Sequence, residues 1–397
     1  MLTRQGALVT AVSIGLIISG RLFGIFELFL MGAGGAALVA GAATSVGLTR
    51  LHLDVDRRLR PARIHAGNAA TVELRVRNRG RRRTPLLQLR DAVDGIGRTA
   101  SVVLAPLAPD QTVAAAYSLP GERRGVLRVG PLEVRITDPF GLAALSTPGA
   151  PVTDLTVWPA VDQVLALPQT SGDHTDVAAD HPSSLSATGD DFYALRPYAD
   201  GDDLRRVHWR ASAKRDDLVV RQDEQLLQGR ATMVLDTRTG AYEGDSFERA
   251  VSAAASVVVA CAQRGFLVRL VTTAGYDSGF GSGGDHVGTV LEHLAVVKVC
   301  DLGHLGTLTG SLVRSHGRGA LAVLTGDGPA ARAPIAAPGA VAERGPAPAV
   351  VVFSTGTGAD TRPGAGGPGR GSIMVDEATS FARAWNRAMA PSAAVPA

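Results

Sequence analysis

Two long uncharged stretches open the chain. Gly6 to Gly20 carries no charge, Arg21 interrupts, and Leu28 to Leu48 is again uncharged. The second stretch is long enough to cross a hydrocarbon core of about 30 Å as a helix. The first reaches that length only with Arg21 snorkelling to the far interface, and Gly20 and Gly24 are natural turn points beside it. The pattern predicts a transmembrane helical hairpin over 1–49 with Arg21 and Glu27 at its tip. A cleaved signal peptide competes, because Arg4 precedes an apolar run, but no small-x-small site follows Gly20 before the second run begins.

The period then changes to two. Thr71 to Asn78 alternates strictly, with Val72, Leu74 and Val76 on one face, as a half-buried strand must. Further strands are expected at Leu86 to Arg90, Ala100 to Leu104, Thr112 to Ser118, Gly125 to Val129, Leu132 to Thr137 and Leu155 to Trp158, at the spacing of a sandwich. Residues 50–160 therefore predict an antiparallel β-sandwich. Asp138-Pro139-Phe140-Gly141 reads as a turn whose Phe plugs the sheet. Residues 161–188 are polar and without period, a connector in which His174 and His181 are expected to be solvated. From 229 to 397 strand-like and helical runs alternate, the pattern of a mostly parallel sheet flanked by helices. The strands expected there are Thr232 to Leu235, Leu267 to Thr272, Leu321 to Leu324, Val350 to Phe353 and Ile373 to Val375. The helices are Phe247 to Gln263, Val287 to Val299 and Ser380 to Met389, with Gly- and Pro-rich loops between. The fold class is thus multidomain: two transmembrane helices, a β-sandwich, then α/β.

Charge adds orientation. Arg4 precedes the hairpin and Arg50, Arg57, Arg58, Arg60 and Arg63 follow it, so both ends are expected on the cytoplasmic side of a bacterial inner membrane. A second cluster, Arg75, Arg77, Arg79 and Arg81 to Arg83, reads either as a contact for anionic headgroups or as a solvated face of strands and a turn. A net charge of +3 over 397 residues gives no global field for nucleic acid, and none is expected as a partner. The two cysteines, Cys261 and Cys300, lie far apart in apolar contexts and read as small core hydrophobes in a reducing compartment. No Cys-x-x-Cys, Gly-x-Ser-x-Gly, Walker-type or dinucleotide pattern is present.

The densest stretch is Gly189 to Glu224. Nine carboxylates interleave with seven cations, and Phe192, Tyr193, Tyr198 and Trp209 sit among them in a chain only 5% aromatic. A disordered linker would lack those aromatics. Asp200-Gly201 marks a turn, Asp202 or Asp203 can cap a short helix running through Trp209, and Leu218 to Arg221 reads as a strand. Trp209 is expected to pack in a core. The arrangement of Gly189, Phe192, Leu195-Arg196, Tyr198, Gly201-Asp202, Arg205, Val207-His208-Trp209, Ser212-Ala213 and Leu218 resembles the signature of the domain of unknown function 58 family. The resemblance implies a signature segment, 189–228, leading into a von Willebrand factor type A-like domain, with a membrane hairpin and a β domain upstream. It also implies a protein partner, an AAA+ ATPase of the MoxR type, in complex assembly or cell-envelope maintenance.

Two chemical alternatives compete with an interaction protein. Asp200, Asp202, Asp203 and His208 offer carboxylates and an imidazole to a metal-dependent hydrolase, but capping and pairing with Arg196, Arg205 and Arg206 account for the same residues. After the first parallel strand, Asp236 stands where a metal-binding type A domain resembles Asp-x-Ser-x-Ser, with Arg238 and Gly240 in place of the hydroxyls. That departure argues against a divalent cation and against an adhesion-type metal site. It leaves Asp236 and Arg238 either as a protein-docking pair or as an internal ion pair. No catalytic residue and no cofactor is expected, and the soluble parts are expected to act as a membrane-anchored adaptor.

Overall fold

The computed structural model describes residues 2–93, 97–168, 192–197, 207–215, 218–223, 229–301, 305, 308, 319–332, 349–355 and 372–390. The chain divides into two compact units, one comprising Met1–Gln163, Asp245–Ser256 and Gly284–Cys300, the other Val164–Gly244, Val257–Gly283 and Asp301–Ala397. Helix α4 (Ser246–Gln263) contributes to both units, and helix α5 (Gly283–Val296) falls almost wholly in the first.

The apolar N-terminal stretches form α1 (Arg4–Phe23) and α2 (Phe26–Gly47). Thr3 caps α1 by accepting from the Gly6 amide, and Gly24, at φ 66°, turns the chain. The helices pack closely because small residues face each other: a Cβ on Gly32 would lie 2.7 Å from the Ser13 carbonyl oxygen, and one on Gly20 would lie 2.6 Å from the Phe29 amide nitrogen. Both helices are long and apolar enough to cross a membrane.

Nine strands follow: β1 (Leu53–Arg60), β2 (Arg63–His65), β3 (Ala69–Asn78), β4 (Leu87–Val93), β5 (Arg98–Leu104), β6 (Thr112–Pro120), β7 (Gly125–Thr137), β8 (Ala144–Ala150) and β9 (Thr153–Trp158). They form a sheet ordered β1-β3-β6 and a second ordered β2-β9-β7-β4-β5, with β8 also on β7. The inward positions of both sheets, among them Val72, Leu74, Leu89, Leu132 and Val134, belong to one buried cluster. That cluster runs on into Val39, Ala42 and Val46 at the foot of α2. Arg57 corrects its expected role as a cation flanking the membrane. Its side chain is buried between the sheets, 2.6 Å from Asp91 Oδ1, while Tyr117 donates to Asp91 Oδ2 at 2.7 Å. Phe140 corrects another expectation, for its ring is 63% exposed and plugs nothing.

In the second unit, β10 (Phe192–Pro197) pairs antiparallel with β11 (Val219–Asp223), with α3 (Trp209–Arg215) between them in the chain. Strands β12 (Arg230–Leu235), β13 (Leu267–Thr272), β14 (Ala320–Gly326), β15 (Ala349–Phe353) and β16 (Ser372–Val375) make one parallel sheet ordered β13-β12-β14-β15-β16. Its central strands are apolar on both faces, as a parallel sheet requires. Single antiparallel bridges, Val268 to Gly281 and Val271 to Asp277, add a short return segment to the outer edge of β13. The C-terminal helix α6 (Phe381–Met389) buries Phe381 and Trp385, and Phe353 stacks near Phe381 with ring centroids 6.0 Å apart. The start of the expected connector is held against this helix. Trp385 Nε1 donates to the Leu165 carbonyl at 2.8 Å, and the Leu165 amide donates to Asn386 Oδ1 at 2.7 Å. His174 and His181 lie outside the described residues.

Candidate functional site

The chain leaves β12 for β13 on one side and returns as β14 on the other, so the strand order reverses between β12 and β14. A crevice outside the carboxyl ends of the strands at such a point is where open α/β sheets bind ligands. Here the position is filled from within. Asp236, directly after β12, is 0% exposed, and its carboxylate is fully engaged. Arg238 closes on it with two parallel bonds, Nε to Oδ1 at 2.9 Å and Nη2 to Oδ2 at 2.7 Å. The Arg238 amide donates to Oδ1 at 3.1 Å, and Thr325 Oγ1, near the end of β14, donates to Oδ2 at 2.8 Å.

A second layer of hydroxyls fixes the first. Thr273 Oγ1 accepts from the Thr237 amide at 2.8 Å and lies 2.9 Å from Thr237 Oγ1. Tyr242 OH donates to the Asp236 carbonyl at 2.7 Å. Burial first and the Asp236 charge second push the Tyr242 phenol pKa well above its ordinary value. The hydrogen bond from Arg238 to Asp236 raises the guanidinium pKa against the opposing effect of burial. The result is a saturated, charge-assisted pair of the bidentate kind.

Two short 3-10 turns, Thr239–Ala241 after β12 and Pro329–Arg332 after β14, close over the crevice. Their approach depends on missing side chains. A Cβ on Gly326 would sit 1.9 Å from the Ala241 carbonyl oxygen, and one on Gly328 would sit 2.4 Å from that of Gly240. The Gly328 amide donates to the Ala241 carbonyl at 3.1 Å.

The sequence-predicted residues divide accordingly. Asp236 and Arg238 are brought together as the internal pair, which leaves Asp236 no surface on which to dock a partner. The Arg238 side chain is only 12% exposed. The acceptor positions a cation would need on Asp236 are taken, and among the described residues no group of three or more His, Cys, Asp or Glu is placed to hold a metal. Phe192 and Arg196 lie on β10, with Arg196 opposite Val220 of β11. Gly189, Tyr198, Gly201, Asp202 and Arg205, together with Asp200 and Asp203, lie outside the described residues. His208 is tied by its backbone, its amide donating to the Val219 carbonyl at 2.8 Å. Leu218 is exposed.

Trp209 overturns its expectation. It is 66% exposed. The helix starts at Trp209 instead of ending there, and the residue it turns inward is Ser212, whose Oγ accepts from the Val219 amide at 2.9 Å and donates to the His208 carbonyl at 3.2 Å. This part of the signature is therefore anchored by backbone and hydroxyl bonds, and its indole is presented outward. Thr273, Thr325 and Tyr242 escaped the sequence reading. The available signal was hydroxyl residues at the carboxyl ends of successive parallel strands, in Val271-Thr272-Thr273 and Leu324-Thr325.

Residues 194–328, from β10 to the loop after β14, match the family model described as Protein of unknown function DUF58. This segment belongs to the DUF58 family. The DUF58 match contains both the switch-point pair and the helix that carries Trp209. Among curated proteins nothing matches the chain. Solved structures similar to parts of it include the CARDB domain of a Pyrococcus furiosus protein in complex with di-metal ions, at 16% identity and TM-score 0.22, covering 28% of this chain and 96% of that one. A β-glucosidase from Listeria innocua in complex with glucose is similar at 14% identity and TM-score 0.17, over 25% of this chain and 16% of that one. The alkylpurine DNA glycosylase AlkC of Pseudomonas fluorescens is similar at 13% identity and TM-score 0.18, over 32% of this chain and 39% of that one. These likenesses are too low to define the fold of the whole chain.

Proposed function

We propose that this DUF58 protein is a membrane-anchored adaptor whose soluble units face the cytoplasm and dock a protein partner through the signature segment. The observation that carries the proposal is Trp209, 66% exposed at the start of α3, with Arg210 exposed beside it. A solvent-facing Trp next to an Arg has the composition of an interface hot spot, since the rigid indole buries a large area and the planar guanidinium can pair bidentately or stack. The self-filled switch point supports binding over catalysis: both carboxylate oxygens of Asp236 are already engaged by Arg238 and Thr325. A type A-like reading of the second unit draws support from the parallel order β13-β12-β14-β15-β16 and the antiparallel return on its β13 edge. The partner class follows from the family resemblance, an AAA+ ATPase of the MoxR type serving complex assembly or envelope maintenance.

The test is affinity capture from a detergent extract with the full chain as bait, comparing wild type with Trp209→Ala. Loss of a co-purifying AAA+ ATPase in the variant, with an unchanged melting temperature, supports the adaptor. Equal recovery by both baits removes Trp209 from the docking surface.

A further inference from the structure

The foot of the hairpin is joined to one end of the sandwich. The Thr3 amide donates to the Leu142 carbonyl at 2.9 Å, Thr3 Oγ1 donates to the Gly141 carbonyl at 2.6 Å, and Leu2 bridges Ala143. Gly6 lies so close that a Cβ would fall 2.0 Å from the Leu142 carbonyl oxygen. The turn that meets α1 is rigid, because the Asp138 carboxylate accepts from the Phe140 amide at 2.9 Å and from the Ala143 amide at 2.5 Å. It holds the Phe140 ring out, 63% exposed. With 20 residues, α1 is about 30 Å long and spans a hydrocarbon core from end to end. Its first residue, Arg4, then sits at the core boundary, and Phe140 sits at that level beside Thr3.

Strand register brings a basic loop to the same end. Leu87 pairs with Ile136, so Leu86 and the residues before it emerge beside the turn that follows β7. Independently, Leu53 pairs with Asn78 and the Arg79 amide donates to the His52 carbonyl at 2.8 Å, which sets the start of this loop beside the chain leaving α2. Asn78 Nδ2 pins the loop by donating to the Arg82 carbonyl at 2.8 Å. Arg77 and Arg79 are spent on Asp110 and Asp54. Arg81, Arg82 and Arg83 are exposed and in no ion pair among the described residues. Leu2, Leu48, Leu86 and Phe140 are exposed apolar side chains at this end.

We infer that this end of the sandwich, carrying Phe140, Leu86 and Arg81 to Arg83, lies in the headgroup layer of an anionic bilayer as a second, peripheral membrane contact beside the hairpin. The inference rests on the hairpin being membrane-spanning. An aromatic at the interface with arginines around it is the composition that binds there, the ring entering the acyl boundary and the guanidinium groups meeting lipid phosphates. Continuity with the foot of the hairpin and the unpaired positive charge select an anionic lipid surface as the occupant.

Full-length protein carrying Cys300→Ser is reconstituted in vesicles of neutral phosphatidylcholine, with or without phosphatidylglycerol, and spin-labelled at one site: Ile14→Cys in α1, Phe140→Cys, or Thr99→Cys at the opposite end of β5. Collision with oxygen is compared with collision with a water-soluble nickel complex. The label at 140 is expected to favour oxygen as the label at 14 does, more strongly with phosphatidylglycerol, and the label at 99 to favour nickel. Replacing Arg81, Arg82 and Arg83 by Gln should abolish the response to phosphatidylglycerol. A nickel-accessible label at 140 with a lipid-like label at 14 overturns the peripheral contact and leaves the hairpin standing. A nickel-accessible label at 14 overturns both. A response at 140 that ignores lipid charge and the arginine replacements overturns the electrostatic part.

Discussion

Asp236 and Arg238 stand two residues apart after a buried strand, and that spacing lets the guanidinium fold back on the carboxylate in a bidentate pair. Neither alternative to the pair could be decided in the sequence, because the deciding groups, Thr325 and Thr273, come from strands far along the chain. Removing one member leaves a buried charge without its partner. Arg238→Ala should therefore cost about 3 to 5 kcal/mol in a urea unfolding titration. Trp209→Ala should change stability by no more than about 0.5 kcal/mol, as for a surface position, and this contrast separates a docking residue from a structural one. The sequence showed an aromatic among charges but not which way a seven-residue helix turns it. Cys261 met its expectation as a buried free thiol, accepting from the Leu167 amide at 3.5 Å, whereas Cys300 is only half-buried. Burial raises the Cys261 pKa from 9.0 to about 11. A folded-state pKa above the unfolded one gives stability that is complete below pH 9.0 and is lost as pH rises toward 11. Alkaline unfolding curves should show a loss of about 2 to 3 kcal/mol over that window, and Cys261→Ala should flatten it.

At the level of elements, strong periods were legible and interrupted ones were not. Strand β3 and helix α4 have unbroken patterns and lie where alternation and the Ala-rich run placed them. Strand β1 is not legible in the sequence because an arginine occupies an inward position. Its alternation is intact only once Arg57 is seen to be neutralised by Asp91. Strand β8, Ala144–Ala150, reads as loop because Pro148 and Gly149 interrupt it, and its edge place on β7 tolerates them. The single strand β7 was expected as two, split at Gly130-Pro131. The Gly326 and Gly328 pair looked like loop composition, yet it allows two 3-10 turns to close on the switch point. Gly326→Ala should lower the urea midpoint, at a cost of about 1 to 3 kcal/mol, because the Cβ must displace backbone rather than a side-chain tip.

For the molecule as a whole, the two apolar runs and the flanking arginines were legible from charge and length alone, and the adaptor proposal requires that everything after α2 remain on the side where Arg50 lies. What the sequence could not reveal is that the sandwich core continues into the foot of α2, because that depends on Val39, Ala42 and Val46 meeting strands distant in the chain. The helical hairpin and the sandwich then form one structural element, and the adaptor proposal depends on its orientation. A dual topology reporter fused after Ala397 tests it directly. The account predicts activity from the cytoplasmic reporter and none from the periplasmic one; strong periplasmic activity would contradict both the hairpin and the cytoplasmic docking surface.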